Sequence, residues 1–503
     1  MTALATSSTV AVVGTGTMGQ GIAQVALVAG HRVRLYDTAP GRAGQAAEAI
    51  GARLDRLVEK GRITADERDA ARGRLSPATA LPELADAALV IEAILEQLPA
   101  KQELFTALED IVATDCLLAT NTSSLSVTAV AGRLRHPGRC VGMHFFNPAP
   151  LLPLVEVVSG FATEEAAATT AYDTAAAWGK RPVRCTDTPG FVVNRIARPF
   201  YAEALRAYEE RVADPATIDA VLRDGAGFKM GPFELTDLIG QDVNEAVTHS
   251  VWQAFFQDPK FTPSLAQRRL VESGLHGRKA GRGWFDYSAG AARPEPRTAA
   301  PCPAPASVGL HAKLPGPAVV LRELIEEAGI KVTRDRTPGE SEGFLRLPGG
   351  ACLALTNGYP ATSNAYGKYI RFDLSLDYRA ATRIALAASA AVSEADLAEA
   401  VGLFQALGKQ VSVIEDVPGM IVARTIAMII DFAVDAAARG VASPADIDTA
   451  MRLGVNYPGG PLEWAERLGA QWVWDLLDSM HHQNAGGRYV PSWALRRRAD
   501  LEG

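Results

Sequence analysis

The sequence predicts an α/β protein built twice over. A Rossmann-like domain is followed by an all-α domain, and then a degenerate Rossmann-like segment by a second all-α domain. Three observations predict this. A glycine fingerprint lies between an apolar run and a helix at the amino terminus. Strand-like and helical stretches alternate as far as about residue 186 and give way to helical patterning from Gly190. The helical part then recurs further along the chain at one constant offset.

The bulk properties bound the function. With 503 residues, 48% of them hydrophobic, the chain can fill several cores. A net charge of −7 gives no basic footprint for nucleic acid, and no apolar run approaches the roughly 18 residues of a membrane span. Met1 to Thr9 is short, polar and uncharged, so no signal peptide is expected. The five cysteines are scattered without metal-ligand or redox spacing. A reduced, cytoplasmic protein without a structural metal is therefore expected, acting on a small molecule with neither nucleic acid nor membrane as partner.

Thr9–Val13 reads as a buried strand. It runs into Gly14-Thr-Gly16-Thr17-Met18-Gly19, then a helix from Gln20 to Ala29 and a strand from His31 to Tyr36 that ends in Asp37. Alone the glycine pattern is weak, but this order is what a dinucleotide site needs. Gly14 makes the turn, Gly16 lets the backbone approach a pyrophosphate, and Gly19 lets helix and strand pack. The helix amino terminus faces the phosphates. Asp37 would accept from ribose hydroxyls and repel a 2′-phosphate, which favours NAD over NADP. Arg42 pulls the other way, and FAD proteins share the fingerprint.

Gly41 to Glu59 and Ala65 to Arg72 read as a helical hairpin inserted into this domain. Arg53, Arg56, Lys60 and Arg62 on it are candidates to meet an anionic substrate, Lys60 first among them, although ordinary solvated helix charge explains any one of them as well. A strand at Leu89–Ile94 ends near Glu96, a helix spans Ala100 to Val112, and a strand at Cys116–Ala119 runs into Thr120-Asn121-Thr122-Ser123-Ser124. Polar side chains at the carboxyl end of a parallel strand lie where such sheets bind ligands, which makes Ser123 a site candidate. Ser124 better suits a helix cap. His144 follows a β-like run from Arg139 to Met143, and Glu156 lies in Leu154-Val-Glu-Val-Val158. Strand, loop and strand would bring the two face to face. A carboxylate against an imidazole fixes the tautomer and steadies the imidazolium, which makes a general base near neutral pH.

Gly14-x-Gly-x-x-Gly19, Glu92-Ala-Ile-Leu-Glu96, Asn121-Thr-Ser-Ser124, His144-Phe-Phe-Asn-Pro148, Leu154-Val-Glu156 and Asp187-Thr-Pro-Gly-Phe-Val-Val-Asn-Arg195 together resemble the L-3-hydroxyacyl-CoA dehydrogenases of β-oxidation, over about residues 8 to 290. The resemblance implies a Rossmann-like domain, a helical dimerisation domain, and oxidation of a (3S)-3-hydroxyacyl-CoA to the 3-ketoacyl-CoA by NAD. It implies that His144 and Glu156 are the catalytic pair and that Ser123 and Asn194 orient substrate. It puts Asn147 near nicotinamide and substrate, and Glu96 and Lys101 near the cofactor ribose. The chain departs from the family at Pro153, where a basic residue often precedes the Leu-Val-Glu run.

Helices are predicted over Phe191 to Glu209, Pro215 to Arg223 and from Gly231 to Gly240, with a domain boundary at 187 and the first helical domain ending near 288. Ala289 to Ser307, rich in Ala and Pro, reads as a semi-extended spacer, not a packed element. Beyond it, Asp187-Thr-Pro-Gly190 recurs as Asp416-Val-Pro-Gly419. The same offset of 229 positions pairs Arg195 with Arg424, Gly231-Pro232 with Gly460-Pro461, and Gly240 with Gly469. A second helical copy is predicted at 412–503, packed on the first as a dimer's partner would be. The offset also turns His144 into Asp373, Glu156 into Ala385 and Asn194 into Ala423. Residues 309–411, with strand-like runs at Ala318–Leu321 and Ala351–Leu355 and a helix from Glu394 to Leu407, therefore read as a structural remnant. This long arrangement resembles the bacterial family members of phenylacetate degradation, whose substrate would be 3-hydroxyadipyl-CoA. A 3-hydroxybutyryl-CoA enzyme, a free hydroxy-acid dehydrogenase on the same scaffold and a non-catalytic use of the fold remain alternatives, and a homodimer of the fused chain is expected.

Overall fold

The computed structural model describes residues 2–336, 343–363 and 367–502. The predicted remnant includes 337–342 and 364–366, which lie outside the described residues. The chain divides into two compact units, Met1–Arg195 with Arg439–Val455, and Ile196–Ala438 with Asn456–Gly503.

The first unit is built on an eight-stranded sheet. Its strands are β1 (Thr9–Val13), β2 (Arg32–Tyr36), β3 (Leu75–Pro77), β4 (Ala87–Glu92), β5 (Leu117–Thr120), β6 (Cys140–Phe145), β7 (Leu154–Ser159) and β8 (Arg181–Thr186), in the order β3-β2-β1-β4-β5-β6-β7-β8. The strands from β3 to β6 are parallel, β7 is antiparallel to β6, and β8 is parallel to β7. All five residues of β1 are buried because both faces are covered, as a parallel strand requires. Val10 and Val12 point into one core with Ile22, Leu35 and Phe145. Ala11 and Val13 point into the other with Phe105 and Leu118.

The helix after the fingerprint spans Thr17–Val28, three residues ahead of the expected start, because Gly16 is itself its N-cap. The inserted hairpin is present as helices Arg42–Glu59 and Ala65–Gly73. Thr64 and Glu67 form a capping box that starts the second of these. The hairpin delivers the short edge strand β3, which the sequence reading lacks and which ends on Pro77, a residue suited to an edge. A helix of the second copy, Pro444–Val455, belongs to this unit. Just ahead of it, the carbonyl of Val441 accepts from the amide of Thr186 at 2.8 Å.

The second unit carries a seven-stranded mixed sheet: β9 (Ser307–His311), β10 (Lys331–Arg334), β11 (Phe344–Arg346), β12 (Cys352–Leu355), β13 (Tyr369–Phe372), β14 (Arg383–Ala388) and β15 (Gln410–Val413), in the order β10-β9-β11-β12-β13-β14-β15. Several expectations need correction. Ser126, not Ser124, caps the helix that follows β5, its hydroxyl accepting from the Ala129 amide at 3.1 Å. Ala318–Leu321 is not a strand. Gly316–Val320 is a 3₁₀ turn that leads into helix Leu321–Glu327, because Pro317 presets a helical start. The span Phe191 to Glu209 is not one helix. Phe191 has a positive φ of 49°, and a short turn at Val193–Ile196 precedes helix Arg198–Glu209, where Pro199 has no amide to continue a ladder. The Ala/Pro spacer is extended but docked. Its Ala299 amide donates to Val411 and its Cys302 amide to Gln405, and a β-carbon on Gly402 would meet the carbonyl oxygen of Pro303 at 2.0 Å.

Helix Val422–Ala438 of the second copy lies with Arg198–Glu209 of the first in this unit. Helix Val422–Ala438 is further tied to the first copy by Arg424 to Glu210, just past helix Arg198–Glu209, at 2.8 Å, and by Asp431 to Lys260, in the turn Pro259–Phe261, at 2.6 Å. No helix among the described residues is long and apolar enough to cross a membrane.

Candidate active site

Antiparallel pairing sets His144 of β6 directly opposite Glu156 of β7. Nδ1 of His144 donates to Oε2 of Glu156 at 2.7 Å, since an ionised carboxylate can only accept. In the neutral tautomer that makes this bond, the lone pair is on Nε2. Oε1 of Glu156 accepts from the amides of Val192 and Val193 at 3.0 and 2.9 Å. Glu156 is fully buried and His144 nearly so. Phe146 and Phe191 flank the ring, their centroids 4.5 and 5.8 Å from it. The pair is therefore dry on the carboxylate side, and an imidazolium formed at His144 has its counter-charge fixed in advance.

Ser123 and Asn194 come together, and Asn194 directly follows Val193, whose amide holds Glu156. Asn194 Nδ2 donates to the Ser123 carbonyl at 3.4 Å, and both side chains are half-buried. Asn147 is exposed, on the loop that follows β6, with a cis bond to Pro148. Lys60 caps the end of helix Arg42–Glu59 at the exposed tip of the hairpin, and no hydrogen bond or ion pair joins it to these residues. Arg53 instead donates to Gln20 at 2.7 Å.

Glu96 and Lys101 belong to a buried network. Lys101 is 1% exposed and lies between Glu92 at 2.5 Å and Glu96 at 3.1 Å. Glu92, at the end of β4, also accepts from Thr120 and from the Ile94 amide. One oxygen of Glu96 accepts from the Thr122 hydroxyl at 2.5 Å and from the amides of Ser123 and Ser124. Burial works to raise the Glu96 carboxyl, but the Lys101 charge with the Thr122 and Ser123 bonds outweighs it and holds the group below its ordinary range. Glu96 thereby fixes the loop that presents Ser123. Asn121 fixes the neighbouring strand, its side chain accepting from the Phe145 amide at 2.9 Å. Sequence reasoning quoted Glu92 and Asn121 within motifs but gave neither a role. The signal for Glu92 was a carboxylate inside the apolar run of β4, where an unpaired charge would be costly.

The glycine turn fits a pyrophosphate. A β-carbon on Gly14 (φ 95°) would meet the Ala93 oxygen at 2.5 Å, and one on Gly19 the Gly14 oxygen at 1.8 Å, whereas the space around Gly16 is open to 4 Å. Gly16 and Thr17 are exposed at the head of the helix, and Met18 is half-buried against the core. Asp37 is steadied by Thr15, whose hydroxyl donates at 2.6 Å, and by the Ala39 amide. Burial raises it, but these bonds together with Arg42 leave it below the usual carboxylate range, so it is charged. That matches a ribose acceptor.

In the second unit Asp373 stands at the position of His144 and Ala385 at that of Glu156, in the same register, with the Asp373 amide donating to Ala385. Asp373 accepts from the amides of Ile421, Val422 and Ala423 at 2.8–3.0 Å. It therefore has no imidazole to orient.

Family models match the chain in consecutive segments. The NAD binding domain of the 3-hydroxyacyl-CoA dehydrogenases matches residues 9–188 and the family's C-terminal domain matches 190–287 and again 419–502. A 3-hydroxybutyryl-CoA dehydrogenase reduced Rossmann-fold domain matches 353–418. The chain is 46% identical to a 3-hydroxyadipyl-CoA dehydrogenase of Escherichia coli K12, over 98% of each chain. It is 40% identical to a 3-hydroxybutyryl-CoA dehydrogenase of Mycobacterium tuberculosis, over 55% of this chain and 98% of that one. The crystal structure of a 3-hydroxybutyryl-CoA dehydrogenase from Escherichia coli K12 superposes with a TM-score of 0.89 at 43% identity, covering 99% of both chains.

Proposed function

The chain belongs to the 3-hydroxyacyl-CoA dehydrogenase family, and we propose that within it the protein oxidises (3S)-3-hydroxyadipyl-CoA, with His144 as general base, Glu156 as its partner, and Ser123 and Asn194 orienting the substrate. The observation that carries the mechanism is the 2.7 Å bond between His144 Nδ1 and buried Glu156, which leaves Nε2 to take a proton. NAD, when bound, supplies the acceptor for the hydride that leaves the substrate carbon. The Gly14–Gly19 turn would hold its pyrophosphate and Asp37 its ribose hydroxyls. As the hydroxyl oxygen becomes a ketone, His144 Nε2 takes its proton, and the imidazolium is held by Glu156. In the reverse direction the same group returns the proton. Ser123 and Asn194, tied to each other, present polar groups to the hydroxyl or the thioester carbonyl and fix the attack geometry.

The dicarboxylic substrate is supported by the full-length likeness to the 3-hydroxyadipyl-CoA dehydrogenase. A second reading, 3-hydroxybutyryl-CoA, is favoured by the full-length likeness to the crystallised 3-hydroxybutyryl-CoA dehydrogenase and by shorter relatives of the same name. NADH formation with each thioester as substrate separates them. A higher kcat/KM for the dicarboxylic thioester is expected, and an equal or higher value for the four-carbon thioester would replace the first reading with the second. His144→Ala tests the mechanism itself, since turnover near that of the wild type would remove the base from it.

A further inference from the structure

The second helical copy carries none of the catalytic side chains, yet one of its helices, Pro444–Val455, belongs to the catalytic unit. We propose that this helix positions the catalytic carboxylate, acting through Gly454. A β-carbon on Gly454 would lie 2.8 Å from Leu154 Cδ2 and 3.0 Å from Val193 Cγ2. Both residues bear on Glu156. Leu154 is two places before it on β7 and shares its face of the sheet. The amide of Val193 is one of the two that hold its Oε1. Val193 also precedes Asn194. The missing side chain at Gly454 therefore sets how closely the helix approaches the residues that fix Glu156 and, through it, the ring of His144. Gly454 is a positioning residue. It touches the supports of the base and not the reacting atoms.

The first copy supplies an internal control. Gly225 stands 229 positions before Gly454 and lies beside the corresponding strand of the remnant, against its backbone and not against side chains. A β-carbon there would meet the Arg383 oxygen at 3.1 Å, and Arg383 occupies the place of Leu154. The Asp224 carbonyl accepts from the Thr382 amide and the Gly225 carbonyl from the Ser375 hydroxyl. The residue that replaces Glu156 there is Ala385, so the same helix–sheet contact supports no chemistry.

The proposal rests on His144 and Glu156 being the catalytic pair, and His144→Ala run alongside exposes a failure of that reading. In the full-length enzyme, Gly454→Val is expected to lower kcat about tenfold or more, the scale of a small misplacement of a reacting group. The KM for NAD should stay within about twofold, because cofactor binding is not what is disturbed. Adding Val193→Ala should recover part of the lost kcat by removing the methyl groups the new side chain strikes. Gly225→Val is expected to lower the thermal midpoint and leave kcat unchanged. Wild-type kcat in Gly454→Val overturns the proposal, as does wild-type kcat in Gly454→Ala if the larger side chain prevents folding. Equal loss of kcat in Gly225→Val, or no recovery in the double variant, overturns it too.

Discussion

Oε2 of Glu156 faces His144 while Oε1 holds the amides of Val192 and Val193, so one side chain both orients the imidazole and ties down the start of the helical segment. The second unit separates these tasks. There Asp373, on the strand equivalent to that of His144, takes over the amides of Ile421 and Val422, which correspond to those of Val192 and Val193. His144→Ala should therefore cost roughly 10²-fold in turnover, the scale of general-base loss, with little change in stability. Glu156→Ala should lose a similar factor and also about 1–3 kcal/mol, because two buried amides lose their acceptor. Asp373→Ala should show the stability loss alone, read by urea unfolding beside kcat. Glu96 adds a pH dependence. Its carboxyl is held below its ordinary value of 4.5 in the folded protein, so its contribution is complete above that value and is lost as pH falls through the lowered one. Glu96→Gln should flatten the acid side of the stability–pH curve, and an unchanged curve would remove Glu96 from it. At this scale His144 and Glu156 were legible because strand spacing alone sets them opposite. The role of Asp373 was not, because the capping carboxylate has moved from one strand to its neighbour.

The fingerprint element separates two uses of glycine that look alike in sequence. Gly19 has backbone oxygen 1.8 Å from where a β-carbon would go, whereas Gly16 has open space and an ordinary φ of −69°. Gly16→Val is expected to leave the thermal midpoint unchanged while raising the KM for NAD, because only the approach of the pyrophosphate is obstructed. Gly19→Ala is expected to lower both stability and cofactor affinity, since helix and turn must separate. Equal stability losses in the two variants would contradict this assignment. Most elements of the first unit were readable from apolar runs and caps, β1 to the residue. The errors fell where punctuation outranks hydrophobicity. Pro315-Gly316-Pro317 turned an apparent strand into a helix start, and Pro199 with the positive φ of Phe191 divided an apolar-periodic helix. The three-residue edge strand β3 is too short for any alternation to register.

Across the whole molecule the repeat was legible because a gap-free offset survives where the chemistry has gone, from Asp187 and Asp416 to Gly240 and Gly469. Two things were not. Pro444–Val455 belongs to the first unit while the rest of its copy belongs to the second, and periodicity says which face of a helix is buried but not against what. The spacer from Ala289 docks through backbone groups, which its Ala/Pro composition does not announce. The two helical copies are held together, within the second unit, by charges that sequence distance conceals. Glu203, fully buried in helix Arg198–Glu209, accepts two bonds from Arg488 at 2.6 and 2.8 Å and one from the Tyr489 hydroxyl at 2.9 Å. Burial works against the charge on Glu203, but Arg488 and Arg424 overcome it and hold the carboxyl below its ordinary range. Removing one partner strands the other in a dry interior, so Arg488→Ala should cost about 3–5 kcal/mol. Replacing both charges with apolar side chains, as in Glu203→Leu with Arg488→Met, removes the stranded charge as well, and most of that loss should return. A double-mutant cycle by urea unfolding measures the difference. If the double variant were as unstable as Arg488→Ala, the loss would come from packing and the Tyr489 bond, and the ion pair would not be what joins the copies.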